Sequence, residues 1–364
     1  MDIFMYWLST LYMLGSRKQN LLLSHFGSGE AVFTASEEML RAVPGFTEGN
    51  MRIIRKNRDL SLIQYGFENL AAMGISYTHL GQADYPDLLS EIPDPPVGLF
   101  YLGEMPGSSL PRVALIGSRR CSEYGLQTAR RFGSALARRG VVVVSGMARG
   151  IDSMGHHGAI DSGGYTIAVL GCGVDVCYPP ENVPLRDTIA RNGCAISEYP
   201  PGVNPHPSYF PARNRIISGL SQVLVVIEAG KKSGTLITVD QALEQGRDVM
   251  AVPGNITNKY SEGTNSLIKQ GAEPACSYED VMYILGMIRE SKTEAKFSQK
   301  FKESRPHIAS EEKLVYDVLD FVPFTFDEIM IKTKSQHQTI QYILTMLEIK
   351  GYAKKLPGMR YVKI

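Results

Sequence analysis

A run of short, β-branched, apolar segments between residues 112 and 254 constrains this chain most, because most of them close on glycine and helical sequence lies between them. Arg112-Val-Ala-Leu-Ile-Gly117 is the first, and Val141–Val144 runs into Ser145-Gly146. Tyr165–Leu170 runs into Gly171-Cys172-Gly173, Cys194–Ser197 and Gln222–Glu228 follow, and Asp248–Val252 ends at Pro253-Gly254. The stretch Tyr124–Arg139 reads as helix, and helical sequence resumes at Asp152. Continuously apolar strands of this length need cover on both faces, which parallel strands joined by crossover helices provide. The pattern predicts an α/β core built on a doubly wound parallel sheet. The glycines place its loops at the carboxyl edge, where such sheets bind ligands.

The flanks differ in texture. Residues 1–84 read as short amphipathic helices without strand-like alternation. Within them Val43-Pro44-Gly45-Phe46 precedes the basic stretch Met51–Arg58. A Pro-Gly turn between two helices has the shape of a helix-hairpin-helix, whose turn amides can face a phosphate. A plain turn in a small helical bundle is the favoured alternative, because the turn is short and degenerate. The domain 85–288 opens on a proline-rich passage, from Tyr85-Pro86 through Pro93, Pro95 and Pro96 to Pro111, which reads as a connector. Residues 289–307 are charged and polar and read as a linker. In 308–364, helices are expected over Glu311–Phe321, Thr325–Thr333 and Ser335–Lys350, and a hairpin around Pro357-Gly358, which is the winged-helix layout.

Five cysteines in 364 residues, with no CxxC pair, favour reduced thiols in a cytosolic protein over a disulfide scaffold or a zinc site. Met1–Leu14 is apolar but carries Asp2 and no cleavage site, so a signal peptide is not expected. No apolar run reaches the ~18 residues of a membrane span. A cytoplasmic location is expected. Net charge is only +1, so if a polyanion is bound, the positive charge is concentrated locally.

Four segments meet that requirement: Gly117-Ser118-Arg119-Arg120, Ser145-Gly146 through Gly150-Ile151-Asp152, Phe210-Pro-Ala-Arg213-Asn214-Arg215, and Glu228 through Gly230-Lys231-Lys232-Ser233-Gly234-Thr235. Glycines let amides approach an anion closely, and the helix after each loop aims its positive end at the same place. Ser118, Ser233 and Thr235 add hydroxyls; Arg119, Arg213, Arg215 and Lys232 add charge, and arginine grips a phosphate with two donors.

Catalytic and nucleotide fingerprints fail. Gly171-Cys172-Gly173 lacks the third glycine of the dinucleotide motif, 230–233 is not a Walker A loop, and there is no nucleophile elbow. His156 and His157 point about 100° apart on a helix and cannot share a metal, so they read as packing or capping residues. Asp152 reads as a helix N-cap rather than a base. No metal or cofactor is expected, and no catalytic residue.

Gly-Ser-Arg at 117–119, Ser-Gly-Met-Ala-Arg-Gly-Ile-Asp at 145–152, Phe-Pro-Ala-Arg-Asn-Arg-Ile-Ile-Ser-Gly-Leu-Ser at 210–221 and Ser-Gly-Thr-Leu-Ile-Thr at 233–238 closely resemble the DNA processing protein A (DprA/Smf) family. Tyr-Pro-Pro-Glu-Asn at 178–182 and Ser-Glu-Tyr-Pro-Pro-Gly at 197–202 extend the match. The resemblance implies a Rossmann-like core, a helix-hairpin-helix or SAM-like N-terminal domain and a C-terminal winged helix. It also implies a homodimer that binds and protects single-stranded DNA and loads the RecA recombinase during natural transformation. Carried over by motif, Arg119 and Lys232 are the first DNA-contact charges and Arg213 and Arg215 the next. Tyr209 and Phe210 are candidate stacking rings. For the winged helix, partner interaction is favoured over sequence readout, since its basic residues lie at a helix end and in the wing.

The competing reading is an enzyme. The fold also resembles lysine-decarboxylase-like phosphoribohydrolases, which carry Pro-Gly-Gly-x-Gly-Thr-x-x-Glu. The matching place here runs from Ala229 to Thr238, and the glutamate position holds Thr238. A pure scaffold role is a third reading, partly contained in the first.

Overall fold

The structure is a computed structural model that describes residues 2–288, 310–333 and 335–363; the linker expected at 289–307 lies outside the described residues. The chain forms two compact units, Met1–Arg289 and Glu290–Ile364.

The first unit is built on a nine-stranded sheet. In chain order its strands are β1 (Ser76–His79), β2 (Gly98–Gly103), β3 (Arg112–Ile116), β4 (Val142–Ser145), β5 (Thr166–Val169), β6 (Cys194–Ser197), β7 (Val223–Val226), β8 (Asp248–Ala251) and β9 (Glu273–Pro274). The spatial order is β1-β2-β6-β5-β4-β3-β7-β8-β9. From β6 to β9 every pairing is parallel, so the doubly wound sheet expected from the apolar runs is present. Alternate residues of β3 serve opposite layers. Val113 and Leu115 pack with Ala129, Phe132 and Leu136 of the helix Glu123–Ala137; Ala114 and Ile116 pack with Ile216 and Leu220 on the other face.

Two expectations need correction. Residues 76–79 and 98–103 are strands, added antiparallel at one edge of the sheet. The first is only four residues long and the second sits inside the proline-rich passage, so neither has a visible period. Antiparallel pairing of β2 with β6 and of β1 with β2 makes them strands, and it buries Leu99 and Phe100. The N-terminal helices also lack a core of their own: Trp7, Leu8, Leu22 and Leu40 belong to one apolar cluster with Phe100, Leu170 and Ala195. The Pro-Gly turn does join two helices, Glu37–Arg41 and Glu48–Lys56, with Gly45 at φ 76°. Two of its cations are paired: Arg55 binds Glu37 at 2.6 Å and Arg41 binds Glu48 at 3.3 Å.

The second unit has helices Ser310–Val318, Phe326–Thr333 and His337–Ile349 and a three-stranded sheet of β10 (Phe324–Thr325), β11 (Ala353–Leu356) and β12 (Arg360–Lys363), in the order β10-β12-β11. Ile340, Ile343, Leu344 and Leu347, at helical spacing, meet Val315, Ile329 and Tyr361 in its core. No helix of the described residues is long and apolar enough to cross a membrane.

Candidate nucleic-acid interface

From β3 the chain winds outward through β4, β5 and β6, then returns to place β7 on the other side of β3. The crossover direction reverses there, and the carboxyl ends of β3 and β7 diverge around a crevice. It is a cleft of about 640 Å³. Ser118, Arg119 and Arg120 line it from β3; Ser233, Gly234, Thr235 and Thr238 line it from beyond β7; Phe210, Arg213 and Asn214 come from the helix Tyr209–Gly219, and Tyr178 from a further loop. Helices Ile151–Asp161 and Thr235–Glu244 start here behind Gly150 and Gly234, so both aim the positive end of the helix at the cleft, although the first amides of the second are already bonded to Ser233 and Gly234.

The loop 145–150 is held from below. Ser145 Oγ donates to the Leu115 carbonyl at 2.6 Å. Asp152 Oδ2 accepts the amides of Gly146 at 3.2 Å and Ala148 at 3.4 Å. Arg213 Nη1 donates to the carbonyl of Gly146 at 2.7 Å and to that of Val169. Asn182 Nδ2 donates to the Met147 carbonyl at 2.8 Å. Together these fix Met147 at φ 59°, a conformation a non-glycine residue adopts only when its surroundings impose it. Burial pushes the Asp152 carboxyl up to about 6, against the pull of Arg213, and pulls Arg213 down. Asp152 is the second residue of its helix, whose N-cap is Gly150. It secures the preceding loop instead of capping.

The family model for DNA recombination-mediator protein A matches residues 76–286, more than half of the chain. The chain belongs to that family. A DprA winged-helix model matches residues 299–359. The DNA processing protein DprA of Streptococcus pneumoniae is 46% identical over 54% of this chain and 70% of its own length; Protein Smf of Synechocystis is 33% identical over 98% of both. The X-ray structure of the pneumococcal DprA superposes with a TM-score of 0.68 at 35% identity, covering 78% of this chain and 97% of that one. A structure of DNA processing protein A from Helicobacter pylori, described for its single-stranded DNA binding mode, superposes with a TM-score of 0.52 at 30% identity, covering 58% of this chain and 96% of that one.

Against this family frame the expected site residues fall into three groups. Ser118, Arg119, Arg213, Asn214, Ser233, Gly234 and Thr235 meet at the cleft, and Lys231 and Lys232 stand exposed in the turn leading to it. Ser145, Gly146 and Gly150 frame the supporting loop. Arg215 is not in the cleft. The segment 210–215 was expected as a loop but is the start of a helix, with Pro211 in the first turn, where its missing N–H costs nothing. Two residues along a helix are about 200° apart, so Arg213 and Arg215 face opposite ways. Arg215 is buried and binds Glu198 at 2.6 Å and Asp94 at 3.3 Å. Arg213 is buried as well, and its Nη1 is already committed to backbone carbonyls.

The exposed arginines of the cleft are Arg119 and Arg120, and the Arg119 guanidinium lies 5.3 Å from the centroid of Phe210. Phe210 in turn leans on Tyr178, 5.3 Å away. Tyr209 instead stacks on Tyr199 at 4.4 Å, with Tyr12 edge-on, and is packing. Tyr178 and Asn182 were given no role from the sequence, although both sit in the Tyr-Pro-Pro-Glu-Asn motif. His156 is a packing residue: it is fully buried, Nδ1 lies 2.7 Å from Thr166 Oγ1, and burial pulls it down to about 3.

Gly150 has φ 81°, and a Cβ there would stand 2.7 Å from the Ser118 carbonyl and 2.9 Å from that of Arg119. Gly150→Ala is therefore expected to cost about 2 kcal/mol or more through strain and overpacking. Thermal unfolding is expected to shift down by several degrees, with displacement of the Arg119 loop.

Proposed function

We propose that this cleft binds single-stranded DNA without chemistry of its own. The supporting observation is the set of cations around it. Some exposed arginines of this unit pair with carboxylates, as Arg130 does with Asp161 and Arg149 with Glu181, while Arg52, Arg138 and Arg191 enter no ion pair among the described residues; what distinguishes the cleft is that its unpaired cations gather at one place. Among the described residues, Arg119, Arg120, Lys231 and Lys232 enter no ion pair, which leaves them for a phosphate chain. Phe210 offers a ring for sequence-tolerant stacking. Kinship with the DNA-binding relative from H. pylori supports the same reading.

The cleft is poorly equipped for glycosidic cleavage. Thr238 faces it from the position where the phosphoribohydrolases carry glutamate, and Asp152 is already accepting two amides. On family grounds the protein acts as a homodimer that shields incoming DNA during transformation and passes it to the RecA recombinase.

Fluorescence anisotropy with labelled single- and double-stranded oligonucleotides at two salt concentrations tests this. Single strands are expected to bind more tightly, with a log–log salt slope of about −0.7 per phosphate contacted. Absence of single-strand preference would overturn the reading, and free base released from a nucleoside monophosphate would replace it with the hydrolase.

A further inference from the structure

The loop 252–261 after β8 abuts the lysine-bearing turn of the cleft and takes no part in the proposed site. The Gly263 amide donates to the Ala229 carbonyl at 2.7 Å, and the Lys259 carbonyl lies 3.4 Å from where a Cβ on Gly230 would be. The backbone of Lys259 thus abuts the turn that carries Lys231 and Lys232. Its ammonium sits 5.2 Å from the centroid of Tyr260. At the tip Ile256 is 88% exposed, more than any other large apolar side chain described.

The exposure is built. Asn255 Oδ1 accepts from the Thr257 amide at 2.9 Å and hydroxyl at 2.8 Å, and Asn258 Oδ1 accepts the Tyr260 amide at 3.0 Å. Asn265 exchanges hydrogen bonds with both backbone groups of Gly254, at 3.1 and 3.0 Å. A loop so fully hydrogen-bonded holds its tip in place instead of letting Ile256 fold inward.

We infer that this loop is a second contact for the same strand: Lys259 takes a phosphate beyond those in the cleft, and a base lies on Ile256. The inference rests on the cleft binding single-stranded DNA. The charge favours nucleic acid over a protein partner, since Lys231, Lys232 and Lys259 form no ion pair among the described residues and are carried on abutting loops. An exposed aliphatic side chain beside unpaired cations suits apolar packing on the face of a base whose backbone the cations track.

The chain's single tryptophan, Trp7, is fully buried, so Ile256→Trp adds a reporter against a constant background. A strand of about 20 nucleotides is expected to quench it, and one of about five, held by the cleft alone, is not. Lys259→Ala is expected to weaken the long strand about tenfold, to flatten its salt slope by about 0.7, and to leave the short strand unaffected. If wild type binds neither strand, the cleft reading fails first. If wild type binds both while Lys259→Ala keeps affinity and slope and Ile256→Trp stays bright, the second contact alone is wrong. Unchanged DNA affinity in Lys259→Ala and Ile256→Ser, with loss of self-association in sedimentation, would overturn it in favour of a protein interface.

Discussion

Replacing Arg119 and Lys232 together with alanine is expected to weaken single-strand binding about 100-fold while the protein stays folded. Each is an exposed cation free of carboxylate partners among the described residues, so neither is held back by a competing ion pair. A hydrogen bond to a charged group contributes about 1.5 kcal/mol or more, and two such losses make about 3 kcal/mol, roughly a hundredfold in Kd. The salt slope is expected to flatten by about 1.4, two phosphates at about 0.7 each. Both side chains are on the surface, so stability is expected to stay within about 0.5 kcal/mol of wild type. Arg130→Ala supplies the control, because Arg130 is equally exposed but bound to Asp161 at 2.6 Å. A comparable loss in that variant would mean diffuse attraction instead of a site, and undiminished affinity in the double variant would move the DNA elsewhere.

The parallel sheet was legible because its strands are buried on both faces and therefore read as uninterrupted apolar runs. β1 and β2 were not, since an edge strand of four residues and a strand framed by prolines carry no period. The cleft was legible to the extent that it is made of backbone. Gly117-Ser-Arg and Ser-Gly-Thr at 233–235 advertise tight turns after strands, and those turns do meet. What misled was the arginine pair at 213 and 215. Read as loop residues, both offered charge to a ligand. As helix residues they point apart, one under the loop 145–150 and one into Glu198 and Asp94. No local pattern distinguishes an arginine that grips a ligand from one that grips carbonyls; only its burial does. The aromatic platform was half legible. Phe210 was a candidate, but its neighbour Tyr178 is 32 residues away in sequence and arrives through tertiary packing.

Because Arg213 supports the loop, its removal is expected to unfold before it unbinds. Arg213→Met keeps the volume but strips the donors from the carbonyls of Gly146 and Val169 and removes the charge nearest Asp152. Leaving two buried carbonyls without their charged donor costs about 3 kcal/mol or more. The loss has a pH signature. In the wild-type fold Asp152 keeps its proton to about 6, against 3.8 for a free carboxyl. Between those values the folded chain holds a proton that the unfolded chain has released. This carboxyl therefore favours the fold most below about pH 4, and that advantage is lost as pH rises through 6. Without Arg213 the folded pKa climbs further, so the window of loss widens into the neutral range. The variant is expected to lose about 1 kcal/mol or more less stability at pH 5.5 than at pH 8. Urea titrations followed by Trp7, which reports the first unit alone, measure both. Arg213→Lys restores the charge without the planar fork and is expected to fall between. Adding Asp152→Asn to Arg213→Met removes the titrating carboxyl, so this pH dependence is expected to vanish in the double variant. Equal losses at both pH values would show that Arg213 acts through its hydrogen bonds to the strand ends and not through Asp152.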